Sequence, residues 1–218
     1  KANIEDIIEY EYKYEKDDLS VVISRVKRIV EKNVILSQGF TYLDIKSIDI
    51  VFLFFEIVKF TNGKSINVKF FNDVEGKDEL IEFSSNNFNY TEIDDTYKKF
   101  YDNEKKEFII DGFRYSLPCI GVENSLTHFL INKSDDPNAK EYNDYSYDFL
   151  YFLGHKNKLS YLEIDNLIQI FNFDISGDDK VKIRDIIKSF SKIGIYSLKK
   201  ESKVINVTTK IDLENIWK

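Results

Sequence analysis

One stretch limits the possible folds more than any other: DIVFLFFEIVKF, residues 49–60, apolar except for an Asp at its head, a Glu inside and a Lys near its end. As a helix, residues 48–60 extend roughly 20 Å, against about 30 Å of hydrocarbon in a bilayer. Glu56 and Lys59 fall inside the run. It is too short and too charged to span a membrane, so no membrane insertion is expected. Its apolarity on all sides predicts a central core helix covered by neighbours on several faces.

The rest of the chain changes period repeatedly. Leu19, Val22, Ile23, Val26, Ile29 and Val30 recur at helical spacing behind Asp17 and Asp18, which can cap that helix, and Gly39 interrupts it. Thr41 and Asp44 form a capping box with Asp in place of Glu, expected to start the core helix, which Gly63 closes. SINVKFF and ELIEFSS then alternate like strands around a turn containing Gly76, and FNYTEI offers a third. EFIIDGFRYSL is a hairpin, because Asp111-Gly112 suits the positive φ angles of a type I′ turn. A helix over about 122–131 precedes the loop-like NKSDDPNAK. Three helices are predicted next, over 142–153, 160–171 and 178–193, the second opened by a Ser160/Glu163 capping box and the third stopped by Gly194. IYSLKKESKVINV reads as a hairpin and KIDLENIWK as a short terminal helix. The whole is α+β. The expected division is an N-terminal α+β domain, 1–134, and a C-terminal helical domain with a wing-like hairpin, 135–218.

The formal net charge of −7 argues against phosphate backbones and anionic lipid as general partners. Residues 178–203 reverse it locally, with eight basic against four acidic residues, a net +4. Three helices followed by a hairpin is also the order of a winged helix-turn-helix. A nucleic-acid-binding regulator using residues 178–203 is therefore the alternative reading, with Lys188, Lys192, Lys199, Lys200 and Lys203 as phosphate contacts. Val181, Ile183, Ile186, Ile187, Phe190 and Ile193 claim the buried side of that helix, and Asp178, Asp179 and Asp185 oppose phosphate.

Other chemistry finds little purchase. Cys119 is the only cysteine, which excludes an intrachain disulfide and a multi-cysteine zinc site. NFDISGDDKVKI places Asn172, Asp174, Ser176 and Gly177 at positions 1, 3, 5 and 6 of a calcium loop. Position 12, however, is Ile183 where a bidentate Glu is required. A polar turn capped by Ser176 or Asp178 is the expected structure. His128 and His155, the two histidines, lie in no nucleophile motif, and the eight glycines are scattered singly. No enzyme activity, cofactor or metal site is expected. The opening KANIEDIIEYEYKYEKDD is acidic and does not read as a signal peptide.

Aromatic residues are the remaining signal. Tyr142, Tyr145, Phe149 and Phe152 form a helical stripe, and Trp217 is the sole tryptophan. Aromatic side chains are enriched in contacts between proteins, so Tyr145, Phe149, Phe152 and Trp217, with the acidic leader over residues 4–14, are the candidate partner contacts.

The order of segments also carries a resemblance. VVISRVKRIVEKNVI precedes LDIKSIDIVFLFFEIVKFTNGKSINV; hairpins ending in FRYSLP follow, then YDFLYFLGHKNKLSYLEIDNLIQIFNFD and KIDLENIWK. This resembles the baseplate hub and hub-assembly proteins of T-even-type contractile-tailed bacteriophages. The family's Asp-x-x-Phe-Leu segment has its counterpart in Asp49, Phe52 and Leu53, leading to Gly63 and Ser65. The basic residue of the family's Leu-x-x-Arg section is replaced around Glu56 to Lys59. The resemblance implies a non-enzymatic structural role, with other tail or baseplate hub proteins as partners. The implied location is the host cytoplasm during assembly, or the virion tail.

Overall fold

A computed structural model of the chain describes residues 19–62, 66–72, 75–83, 88–133, 144–153, 158–194, 197–200, 203–206 and 211–212. The described residues form an α+β fold with small antiparallel sheets. They divide into two compact units. Unit 1 comprises Lys1–Ser37, Asp49–Thr91 and Gly194–Lys218; unit 2 comprises Gln38–Ile48 and Glu92–Ile193.

In unit 1, helix α1 (Leu19–Asn33) packs on helix α2 (Ile50–Asn62). Val26, Ile29 and Val30 of α1 are buried, as are Ile50, Phe54, Phe55, Ile57 and Val58 of α2. The apolar run is thus a core helix, but it is not covered all round: Phe52 is 37% and Phe60 71% exposed. The Thr41/Asp44 pair is present, with the Thr41 N–H 2.7 Å from Asp44 Oδ2. It closes a separate 3-10 turn (Tyr42–Asp44), however, and α2 starts only at Ile50. The expected cap Gly63 lies outside the described residues.

Strands β1 (Ile66–Asn72) and β2 (Lys77–Phe83) form the expected hairpin, in register from Ile66↔Phe83 to Asn72↔Lys77. Strand β3 (Phe88–Asn89) does form, but it does not extend that sheet. It pairs with β7 (Ser197–Lys200), which pairs with β8 (Lys203–Asn206). The expected terminal helix is corrected at its start: Ile211–Asp212 is extended, as strand β9 on the free edge of β1, where it meets the sheet's unpaired backbone groups. Residues 213–218, Trp217 among them, lie outside the described residues.

Unit 2 holds the short helix α3 (Asp95–Lys98), the sheet β4 (Tyr101–Asp102), β5 (Glu107–Ile110) and β6 (Phe113–Tyr115), and helices α4 (Ile120–Lys133), α5 (Asp144–Phe152), α6 (Tyr161–Gln169) and α7 (Gly177–Phe190). The β5–β6 turn has Asp111 at φ 50° and Gly112 at φ 82°, as the type I′ reading requires. Two apolar clusters fill the unit, and α5 serves both. Phe149 and Phe152 join Phe108, Tyr115, Phe171 and the buried side of α7, whereas Leu150 joins Leu126 and Phe129 of α4 and Ile164 and Ile168 of α6.

This shared packing moves the expected boundary. A cut after residue 134 separates α4 from α5 and α6, whose side chains share an apolar cluster with it within unit 2. The wing-like hairpin, β7–β8, belongs to unit 1. Residues 38–48, flanked on both sides by unit 1 sequence, are fastened to unit 2 by backbone bonds from Ser47 to Pro118 (2.9 Å) and from Ile120 to Ile45 (3.0 Å). The Lys46 ammonium adds a bond to the Leu117 carbonyl at 2.7 Å.

Candidate interaction surface

Helix α7 is built from an ordinary amphipathic pattern. Ser176 sits in an extended conformation before the helix; its hydroxyl accepts the Asp179 N–H at 3.2 Å and donates to the Asp179 carboxylate at 2.7 Å. Asp178 and Asp179 occupy the first turn, where the helix dipole favours negative charge. The hydrogen bond from Ser176, then the nearby Lys182 ammonium, hold the Asp179 carboxyl below its ordinary pKa. Ile183, Ile186, Ile187 and Phe190 face inward, and Ile193 is buried just beyond the helix. Val181, expected on the buried side, is 48% exposed.

The residues before α7 shape its surroundings. Helix α6 is opened by the expected capping box, with the Ser160 N–H 2.7 Å from Glu163 Oε2. It runs on into a π-helical turn (Ile170–Asp174). The wider turn carries Phe171 inward, where it stacks on Phe149 at 4.6 Å between centroids with planes 26° apart, while Phe173 is 78% exposed. Lys180 reaches back from α7: its ammonium donates to the Asn172 carbonyl at 2.9 Å and lies 5.4 Å from the Phe171 ring centre. One side chain thus clips the π turn to the helix after it.

Between α5, the π turn and α7 the packing leaves a hollow of about 160 Å³. Phe149, Phe171, Ile183 and Ile187 give it an apolar lining, and Val181 also borders it. Lys180, Arg184, Lys188 and Asp148 supply the charged part of the lining. Three cations against one anion make this opening positive, although the chain as a whole is negative.

Most residues singled out in the sequence lie elsewhere. Phe149 and Phe152 are 3% and 6% exposed and pack in the core, and Phe149 also lines the hollow. The side chain of Tyr145, the leader and Trp217 lie outside the described residues. Lys188 and Lys192 are exposed on and just after α7, and the side chains of Lys199, Lys200 and Lys203 are outside the described residues. Helices α5–α7 belong to unit 2 and the expected wing hairpin, β7–β8, to unit 1. The calcium-loop segment is a capped turn whose last position, Ile183, is in the core. His128 is exposed on α4, Cys119 is buried and His155 is outside the described residues.

Two polar features escaped the sequence. Ser47 donates to the Glu123 carboxylate at 3.0 Å and is hydrogen-bonded to Tyr151, whose phenol burial pushes up to about 12 with help from the Glu123 charge. This small chain of bonds fastens residues 38–48 to the start of α4 and to α5. The π turn, Phe171 and Lys180 are the other, and no spacing in the sequence announces a π turn. Among the described residues no group of three or more His, Cys, Asp or Glu side chains is placed to hold a metal ion, and no helix is long and apolar enough to cross a membrane. No family model, curated protein or solved structure matches the chain.

Proposed function

We propose that this chain is a non-enzymatic contact protein whose setting is the tail baseplate hub of a contractile-tailed bacteriophage, or the assembly of that hub. The observation that carries the contact reading is the open apolar hollow on unit 2, bordered by exposed Val181 and positive at its opening. Large apolar side chains left in solvent support it: Leu162 and Phe173 in unit 2, Phe60 and Leu80 in unit 1, each more than 60% exposed. Exposed apolar surface rimmed by charge is what partner-binding faces present, and burying one such side chain contributes about 1.5–3 kcal/mol. The tail setting is supported by the resemblance in segment order, from the leading helix through the apolar run to the terminal KIDLENIWK.

The experiment is a pull-down of purified tail and baseplate proteins encoded in the same genome, followed by sizing of the complexes. A stoichiometric complex with a hub component is the expected result. A chain that stays strictly monomeric and retains none of them contradicts the proposal.

A further inference from the structure

We infer that the hollow between α5, the π turn and α7 is a socket for one aromatic side chain of a partner protein, presented on a segment rich in Asp and Glu. The inference deepens the contact-protein reading and rests on it for the class of partner. Size sets the first limit. A cavity of about 150 Å³ lined by Leu, Ile and Phe takes up a benzene molecule, whereas sites for whole small-molecule ligands run to about 300–1,000 Å³. At about 160 Å³ this hollow has room for one ring.

Chemistry sets the second limit. Phe149, Phe171, Ile183 and Ile187 line the hollow, so an apolar entrant is favoured, and an aromatic ring adds contacts with the two phenylalanines. Charge sets the third. Lys180, Arg184 and Lys188 outnumber Asp148 around the socket, so a flanking carboxylate is drawn in and a flanking ammonium is opposed. The walls are also fixed before binding. Ser176 caps α7, Lys180 clips the π turn through the Asn172 carbonyl, and Phe149 and Phe171 brace each other, so little ordering is left for the binding step.

The test uses the full chain with labelled Ile and Val methyl groups, titrated by NMR with capped pentapeptides. The expected binder is Glu-Asp-Phe-Glu-Asp, with shifts centred on Val181, Ile183 and Ile187. Replacing its Phe with Ala, or its acids with Lys, should weaken binding at least ten-fold. Lys188→Glu, a change at an exposed position, should weaken the acidic peptide about ten-fold, and Val181→Trp should plug the socket. Should Val181→Trp fail to fold, Lys188→Glu carries the test.

Equal binding of the Phe and Ala peptides, indifference to their flanking charge, or shifts centred elsewhere would overturn the socket. So would 3-phenylpropionate binding as tightly as the acidic Phe peptide, since that result describes a small-molecule site. The two proposals fail separately. Peptide binding without capture of any tail protein leaves the socket and removes the phage setting. Capture of a tail protein equally by wild type and Val181→Trp leaves the contact reading and removes the socket.

Discussion

Helices α2 and α7 reach similar depths in their own units by opposite means. Helix α2 is apolar almost throughout, with Glu56 and Lys59 as its only charged residues, and it buries Phe54, Phe55 and Val58 while leaving Phe60 in solvent. Helix α7 carries seven charged residues in fourteen positions, and its few apolar side chains include the buried Ile183, Ile186, Ile187 and Phe190. Abundant apolarity shows that a helix is buried somewhere but not which face is covered. Contrast along a helix reveals the face. The exception in α7 teaches something further: Val181 fits the apolar pattern and is nevertheless exposed, beside a hollow.

The largest effect that sharpens this comparison comes from paired truncations. Phe190 is 1% exposed, and its ring centre lies 4.9 Å from that of Phe108 and 5.5 Å from that of Tyr97. Phe190→Ala should cost about 3–5 kcal/mol in urea unfolding, as should Phe54→Ala in α2. Phe60→Ala should change stability by no more than about 0.5 kcal/mol. A cost for Phe60→Ala equal to that of Phe54→Ala would show that α2 is covered all round after all.

Smaller effects separate the ends of α7 from its core. Ser176→Ala removes the acceptor for the Asp179 N–H and should cost about 1 kcal/mol. Gly177 opens the helix without a positive φ, and a methyl group there meets nothing within 4 Å. Gly177→Ala should therefore stabilise the protein by about 0.4–1 kcal/mol, read as a higher urea midpoint. A loss on Gly177→Ala would mean that this turn is tighter than its geometry indicates.

The smallest effect is electrostatic. Because the folded pKa of Asp179 is lowered, its contribution is present above the ordinary carboxylate pKa and disappears as pH falls through the folded value. In acid unfolding, Asp179→Asn should flatten the dependence on pH below about 4 and leave the alkaline limb unchanged. An unchanged acid limb would assign the cap to Ser176 alone.

How much of this was legible follows from locality. The α+β class, the β5–β6 turn at Asp111-Gly112, the Ser160/Glu163 box and the order of helices α4–α7 are set by neighbours a few residues apart, and the sequence displays them. The units are not local. Residues 38–48 join unit 2 through bonds from Lys46 and Ser47 to Leu117, Pro118 and Glu123, some seventy residues away. Strands β3 and β9 likewise find partners more than a hundred residues distant. A polar loop over NKSDDPNAK looked like a domain boundary because composition marks loops well and says nothing about which helices share a core. The candidate site was legible only in part. The aromatic stripe pointed to α5, but Phe149 and Phe152 turned out to be interior, and the hollow depends on a π turn and on Lys180 reaching the Asn172 carbonyl.

The most direct measurement for the contact reading is hydrogen exchange on the full chain, alone and mixed with purified tail proteins of its own genome. The predicted result is new protection across residues 148–188, where α5, the π turn and α7 surround the hollow. Unchanged exchange throughout the chain with every tail protein would contradict the contact reading, and protection confined to other regions would remove the socket.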